Sequence, residues 1–230
     1  HIQYYIIKND ELFDSIVPIL LDKVREGVEV RILCDGMGGR FMPKKRWDQM
    51  RSAGIKVGVF FPPFLGWLNL RVNYRNHRKI VVVDGNTGFV GGFNIGREYI
   101  SRDPKFGYWR DTHLEIKGEA AISLQIRFAL DWNYVTGENL FKEIRYFGEE
   151  AEYARRRLNG QIHAVWPDPD HVNEMVCMQI ITSGPDTREP HIRNNYLELF
   201  HKAKHHIYIQ TPYFIPDDAI FSSLKIAALS

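Results

Sequence analysis

NHRKIVVVDGNTGFVGGFN, residues 76–94, places two basic side chains, His77 and Lys79, directly before an apolar run. The runs IVVV and TGFV flank Gly85-Asn86, which predicts a β-hairpin. Residues two apart in an extended chain project from the same face, so His77 and Lys79 point the same way. Burying an imidazole and an ammonium together costs several kcal/mol, on the order of a desolvated charge, unless an anion meets them. The stretch therefore predicts a hairpin whose entry forms an anion site.

Apolar strand-like runs alternate with amphipathic helical runs on both sides of this hairpin. Strands are expected at 2–7, 28–36 and 55–61, with one helix after a cap at Asn9 or Asp10 and another from about Pro43 to Ser52. A further helix is predicted at 120–134. This alternation predicts an α/β fold, a layered sheet with helices on its faces.

An internal repeat predicts a second, similar lobe. Residues 5–16, YIIKNDELFDSI, align without gaps with residues 213–224, YFIPDDAIFSSL. We expect a first lobe at 1–136, truncated at its N-terminus, a charged linker at 137–160, and the beginning of a second lobe at 161–230. Strands are expected around 174–184 and 205–214. Both ends of the chain indicate a fragment of a longer protein.

Composition narrows the class of protein. The formal net charge is +2 and 44% of residues are hydrophobic, which is typical of an ordinary globular domain and disfavours nucleic acid as partner. No apolar run is long enough to cross a membrane. Two cysteines in apolar runs indicate reduced, buried thiols and not a disulfide framework.

The polar residues of the hairpin point to phosphate chemistry. Gly91 and Gly92 permit close backbone approach, and Asn94 brings an amide donor back towards His77 and Lys79. An imidazole, an ammonium and an amide are donors for a tetrahedral oxyanion. The imidazole could attack phosphorus or protonate a leaving oxygen. Asp84 is expected in the turn, facing away from the pair.

The spacing H-x-K-x4-D-x6-G-G-x-N resembles the phospholipase D superfamily. That resemblance implies a mixed β-sheet sandwiched by helices and an active site built from two such motifs. It assigns Asp111, in WRD, to orienting His77; the alternative is a solvent-facing strand residue. The residues that match the motif pattern are His77, Lys79, Asp84, Gly91, Gly92 and Asn94.

Within the superfamily, HIQYYII, RILCDGMGGR, YWRDTHLEIKG and QTPYFIPDD are similar to bacterial cardiolipin synthases. This implies a phosphatidyltransferase that joins two phosphatidylglycerol molecules through a phosphohistidine, without metal or cofactor. Whether His77 is the nucleophile or the acid/base stays open. Candidate catalytic residues are His77, Lys79, Asp84, Asn94 and Asp111, and candidate substrate-binding residues are Lys79, Asn94, Gly92 and Arg75.

The resemblance also implies a location and partners. We expect a bacterial cell membrane protein with a cytoplasm-facing catalytic part, acting on phosphatidylglycerol and other phospholipids. A second lobe, from the same longer chain or from a homodimer, would complete the site, so the isolated fragment is expected to be inactive. No nucleic acid partner is expected.

Residues 60–70, FFPPFLGWLNL, suggest a membrane contact through Phe64, Trp67 and Leu68. The alternative is a core-packed crossover. Two other functions stay open: a phospholipase D-like hydrolase of lipid or nucleic acid, in which water is the acceptor, and a non-catalytic membrane-binding lobe.

Overall fold

The computed structural model describes residues 1–61, 75–148, 176, 178–184 and 187–229. The chain divides into two units, His1–Met178 and Gln179–Ser230. The boundaries expected at residues 136 and 160 stay a prediction.

A six-stranded mixed sheet forms the centre of the first unit, in the order β3-β2-β1-β4-β5-β6. β1, β2 and β3 run parallel, whereas β4 pairs antiparallel with β1 and the hairpin continues antiparallel to β6. The strands are β1 (Ile2–Tyr4), β2 (Arg31–Asp35), β3 (Lys56–Phe60), β4 (Ile80–Val83), β5 (Thr87–Gly91) and β6 (His113–Lys117).

Three helices cover the two faces of this sheet: α1 (Glu11–Arg25), α2 (Lys44–Ser52) and α3 (Glu119–Thr136). Asp10 caps α1, since its Oδ1 accepts hydrogen bonds from the backbone N–H groups of Leu12 at 3.1 Å and Phe13 at 3.3 Å. α3 ends at Gly137, whose φ of +76° is favoured in glycine.

Alternating residues of β2 divide the core into two clusters. Ile32 and Cys34 pack with residues of α1 and α2, including Phe13 and Trp47. Leu33 points to the opposite face and packs against α3. The helices therefore sandwich the sheet, which confirms the predicted α/β class.

The predicted hairpin is present. β4 and β5 pair with Val83 opposite Thr87, and the turn between them holds Asp84 at φ +52° and Gly85 at φ +75°. Such a left-handed turn matches the twist of an antiparallel pair.

The beginning of the segment expected to be a linker packs against the first unit. After α3 come two 3₁₀ turns, Leu140–Lys142 and Ile144–Phe147. Leu140 and Phe147 are buried against Phe128 and Trp132 of α3. The sequence did not predict this packing, because two apolar residues seven positions apart, Leu140 and Phe147, do not form a recognisable helical or strand pattern.

The second unit contains α4 (His191–Lys202) and α5 (Asp218–Leu229). Arg193 of α4 forms an ion pair with Asp217, which also accepts the Ile220 N–H at 2.9 Å and so caps α5. α5 begins within one residue of the position that the repeat predicts from α1. The strands expected around 174–184 and 205–214 are not formed in the part of them that the structure describes. A β-strand requires backbone hydrogen bonds to a neighbouring strand, and the described residues of this unit provide no such neighbour.

Candidate active site

Two buried carboxylates fix the segment 75–79 that carries His77 and Lys79. Asp35, at the end of β2, accepts the Asn76 backbone N–H at 3.1 Å. Asp131, on α3, accepts the Asn76 side-chain amide at 3.0 Å. The segment is therefore tied both to the central sheet and to the helix that packs on it.

Asp131 also gathers the other inward-pointing residues. Its Oδ2 accepts from Gln3 at 2.7 Å and from Arg78 at 3.1 Å, and its Oδ1 pairs with Arg127 one helical turn earlier. With Asn76 and Arg78 pointing inward, His77 and Lys79 point outward together, as the period of two predicts. This holds although β4 itself begins only at Ile80.

The imidazole of His77 is exposed and lies flat on the ring of Tyr5, with centroids 3.9 Å apart and an interplanar angle of 23°. Its Nδ1 lies 3.5 Å from Nζ of Lys79. Partial burial and, second, the Lys79 charge lower the pKa of His77 below its ordinary 6.5. The ring is therefore uncharged at neutral pH, which a nucleophile or general base requires.

The ammonium of Lys79 is half-buried beside this ring. Nζ donates a hydrogen bond to the His77 carbonyl oxygen at 2.6 Å. Burial lowers the pKa of Lys79 from 10.5 to about 8, and the Asp111 carboxylate partly opposes this. Among the described residues no carboxylate forms an ion pair with Lys79. The Lys79 ammonium can therefore donate further hydrogen bonds to an anion that binds beside His77.

Asp111 lies just before β6 and sits against the glycine pair. A Cβ on Gly92 would lie 2.2 Å from Asp111 Oδ1, and a Cβ on Gly91 would lie 2.5 Å from His113 Nδ1. Both glycines are thus required for this close approach. Asp111 accepts the Thr112 N–H at 2.7 Å and the Trp109 indole N–H at 3.5 Å.

The direct contact expected between Asp111 and His77 is not among the hydrogen bonds of the described residues. Instead, the Asp111 carboxylate opposes the lowering of the pKa at both Lys79 and His113, whose pKa burial lowers. The orientation of His77 by Asp111 therefore stays a prediction.

Asn94 is buried and both ends of its amide are engaged. Its Oδ1 accepts the Ile6 backbone N–H at 3.0 Å, and its Nδ2 donates to the Tyr99 hydroxyl at 2.8 Å. Next to it, Ile95 forms a parallel bridge with Ile7. These bonds fasten the chain after β5 to the chain after β1, which carries Tyr5.

Two predicted site residues lie away from the His–Lys pair. Arg75 is buried against Asp35, with Nη1 3.6 Å from Oδ1, and its role as a substrate contact stays a prediction. Asp84 is in the hairpin turn, at the opposite end of β4 from Lys79 and thus about 13 Å or more away. Phe64, Trp67 and Leu68 lie outside the described residues.

Sequence reasoning missed Tyr5, Asn76 and Asp131. The signal for Asp131 was present: it falls on the buried face of α3, between Phe128 and Trp132, where a lone carboxylate requires partners. It also missed Glu98, a buried carboxylate paired with Lys8 at 2.5 Å.

The residues that the structure describes contain no group of three metal-ligating side chains and no helix long and apolar enough to span a membrane.

The mixed sheet between helices, with a histidine and a lysine presented at the entry to its hairpin, defines a phospholipase D-like domain. The family "Cardiolipin synthase, PLD-like domain" matches residues 1–119, and the chain belongs to it. The chain is 45% identical over 235 residues to the major cardiolipin synthase ClsA of Bacillus subtilis, covering all of this chain and 44% of that protein.

Two staphylococcal proteins are similar over the whole of this chain. Cardiolipin synthase 2 of Staphylococcus epidermidis is 49% identical, with 43% of its length covered, and a cardiolipin synthase of Staphylococcus aureus is 47% identical, with 42% covered. The chain thus spans less than half the length of these relatives. NucT from Helicobacter pylori matches with a TM-score of 0.39 and 15% identity, over 57% of this chain and 75% of that one.

Proposed function

We propose that this chain supplies one His–Lys half-site of a phosphatidyltransferase that joins two phosphatidylglycerol molecules into cardiolipin and glycerol. The observation that carries the proposal is the placement of the His77 imidazole 3.5 Å from the Lys79 ammonium, which has no ion-pair partner among the described residues, on a segment held by two buried carboxylates. The choice of substrate is supported by two relatives, at 45% and 49% identity, that are both named cardiolipin synthases.

The geometry suits a phosphodiester. Lys79 would donate to a non-bridging phosphate oxygen and neutralise its charge, beside the imidazole that reacts. Gly92 lets the Asp111 carboxylate approach the backbone closely, which places that carboxylate near the Lys79 ammonium. Asn94 keeps one N–H beyond the bond to Tyr99 and stays a candidate donor.

In the reaction, one histidine nitrogen forms a bond to phosphorus as the P–O bond to glycerol breaks. The histidine of the other half-site acts as a general acid and donates a proton to the departing glycerol oxygen. The hydroxyl of a second phosphatidylglycerol then attacks phosphorus, loses its proton to the same group, and releases the histidine. His77 is suited to either role, since both need an imidazole that is uncharged at some step.

The second histidine would come from a similar lobe of a longer chain or from a second copy of this one. The helix start in the second unit, aligned with α1 by the repeat, favours a similar lobe. We propose a bacterial membrane as the location, with the site on the cytoplasmic side. Arg75 and Asp84 stay candidate site residues in this scheme.

The test is a chimera in which this chain replaces the matching segment of the Bacillus subtilis relative. On phosphatidylglycerol vesicles the chimera should form cardiolipin and glycerol, and His77→Ala and Lys79→Ala should each abolish both products. His201→Ala, an exposed histidine on α4, is the matched control and should retain activity. Phosphatidic acid as the main product would favour the hydrolase, and cardiolipin formation by the His77→Ala chimera would refute the proposal.

A further inference from the structure

Residues 102–110, RDPKFGYWR, form an internally hydrogen-bonded loop between the segments that carry Asn94 and Asp111; we name it the aromatic loop. Asp103 organises its turn: its backbone oxygen accepts from Phe106 at 3.1 Å and from Gly107 at 3.0 Å. Its carboxylate accepts from the Lys105 N–H at 3.0 Å and from Arg97 at 3.3 Å. The single acidic group of the loop is thereby used within the fold.

An aromatic cluster supports the loop from beneath. The Trp109 ring packs edge-on against Tyr99 at 5.0 Å and against Phe106 at 6.1 Å. The Trp109 backbone N–H donates to Ser101 Oγ at 2.9 Å. The loop conformation is therefore preformed and does not depend on a partner.

The outer side of the loop combines aromatic surface with positive charge. Phe106 is 49% exposed and Tyr108 is 84% exposed. Lys105 lies 5.6 Å from the centre of the Phe106 ring. Lys105 and Arg110 are exposed, and the part of the chain that the structure describes provides no carboxylate partner for either.

We propose that the aromatic loop rests in the headgroup layer of an anionic phospholipid membrane. Aromatic rings are favoured at that depth, and unpaired lysine and arginine are attracted to anionic headgroups. An acidic protein would satisfy the cations but not the exposed rings, and an apolar protein surface would leave the cations desolvated. The inference rests on the proposed phospholipid substrate and deepens it, since it identifies how the site meets the lipid.

The loop connects directly to the site. Trp109 donates to Asp111, and Tyr99, beneath Trp109, accepts from Asn94. If the loop lies in the headgroup layer, these hydrogen bonds also place the segment that carries Asp111, and with it Lys79, close to the headgroups. Phosphodiester groups lie at that same depth.

The experiment measures binding of the 230-residue chain to vesicles of phosphatidylcholine with and without phosphatidylglycerol. The wild type should bind the anionic vesicles, with affinity falling as salt rises. Phe106→Ser with Tyr108→Ser should lower the partition coefficient by about tenfold or more, from the apolar area removed. Lys105→Ser with Arg110→Ser should lower it by about tenfold on anionic vesicles only.

Matched controls are Ile19→Ser, an apolar residue on α1 that is 60% exposed, and Lys142→Ser, an exposed lysine after α3. Both should bind as the wild type does, and all variants should keep the wild-type circular dichroism and unfolding midpoint. His77→Ala should bind normally, so failure of the proposed chemistry and failure of this inference are distinguishable. Wild-type binding by the Phe106/Tyr108 variant would overturn the inference, as would lipid-free self-association that this variant abolishes.

Discussion

Replacing Lys79 with Met should make the first unit more stable while it removes phosphodiester binding. The reason is the unfavourable place of the ammonium, since burial lowers the pKa of Lys79 from 10.5 to about 8 and Asp111 opposes this only in part. A lysine that costs stability, when methionine would fill the same space, is a sign that its charge serves function.

The magnitude follows from the pKa. The difference between 10.5 and about 8 corresponds to about 3 kcal/mol if counted in full. Because Lys79 is only half-buried, solvent screening reduces this to about 1–2 kcal/mol. Loss of its hydrogen bond to the His77 carbonyl costs up to about 1 kcal/mol. We therefore expect Lys79→Met to raise the free energy of unfolding by about 1 kcal/mol at pH 7.

The pH dependence has a definite sign. Below pH 8 the native ammonium is charged and its full cost is present. As pH rises from about 8 towards 10.5, the native state loses this proton before the unfolded state does, so wild-type stability increases. The advantage of Lys79→Met should be largest at pH 7 and should shrink by pH 9.5.

Urea unfolding followed by tryptophan fluorescence measures this, because Trp47 and Trp132 are buried in the first unit. Lys117→Met is the control: Lys117 is exposed on β6 and paired with Glu115 at 3.3 Å, so its loss should change stability by less than about 0.5 kcal/mol. In parallel, the wild type should bind glycerophosphoglycerol at pH 7 and more weakly at pH 9.5. A destabilised Lys79→Met chain, or one that still binds the phosphodiester, would refute the reasoning.

Four further results are expected. Asp131→Asn should cost about 3 kcal/mol in urea unfolding, because Arg78 and Arg127 lose a buried counter-charge, and a loss below about 1 kcal/mol would contradict its placement. Gly92→Ala should destabilise by about 2 kcal/mol, because its Cβ would lie 2.2 Å from an Asp111 oxygen; unfolding at the wild-type urea midpoint would argue against that contact. NMR titration should give His77 a pKa below 6.5 that rises in Lys79→Met, and an unchanged value would show that the Lys79 charge does not act on the ring. The isolated chain should form little or no cardiolipin from phosphatidylglycerol vesicles, and substantial product from a monomer would contradict the half-site.

The sequence was informative wherever the determinants are local. The turn at Gly85-Asn86, a cap at Asn9 or Asp10 and the outward pairing of His77 with Lys79 all follow from periodicity and from residue types within a few positions. Each was predicted, and each is present.

The partners of the site segment could not be predicted in the same way, because they are tertiary. Arg75 was predicted as a headgroup ligand because it follows the aromatic stretch 60–70, and the structure places it in the interior beside Asp35, a carboxylate forty residues earlier. Asp131 lies on a helix more than fifty residues after His77. Nothing in the spacing of a single chain shows which buried carboxylate meets which buried cation.

These pairings explain the charge balance of the segment 75–79, which carries three permanent or near-permanent cations. Asp35 pairs with Arg75, and the single carboxylate of Asp131 is shared between Arg78 and Arg127. Lys79 alone receives no ion-pair partner from the described residues, only the more distant field of Asp111. An anion that binds beside His77 would therefore give Lys79 the ion-pair partner that Arg75 and Arg78 already have. Because such an anion restores the charged state of Lys79, phosphodiester binding should raise the Lys79 pKa above 8, and proton uptake on binding at pH 8.5 would measure it.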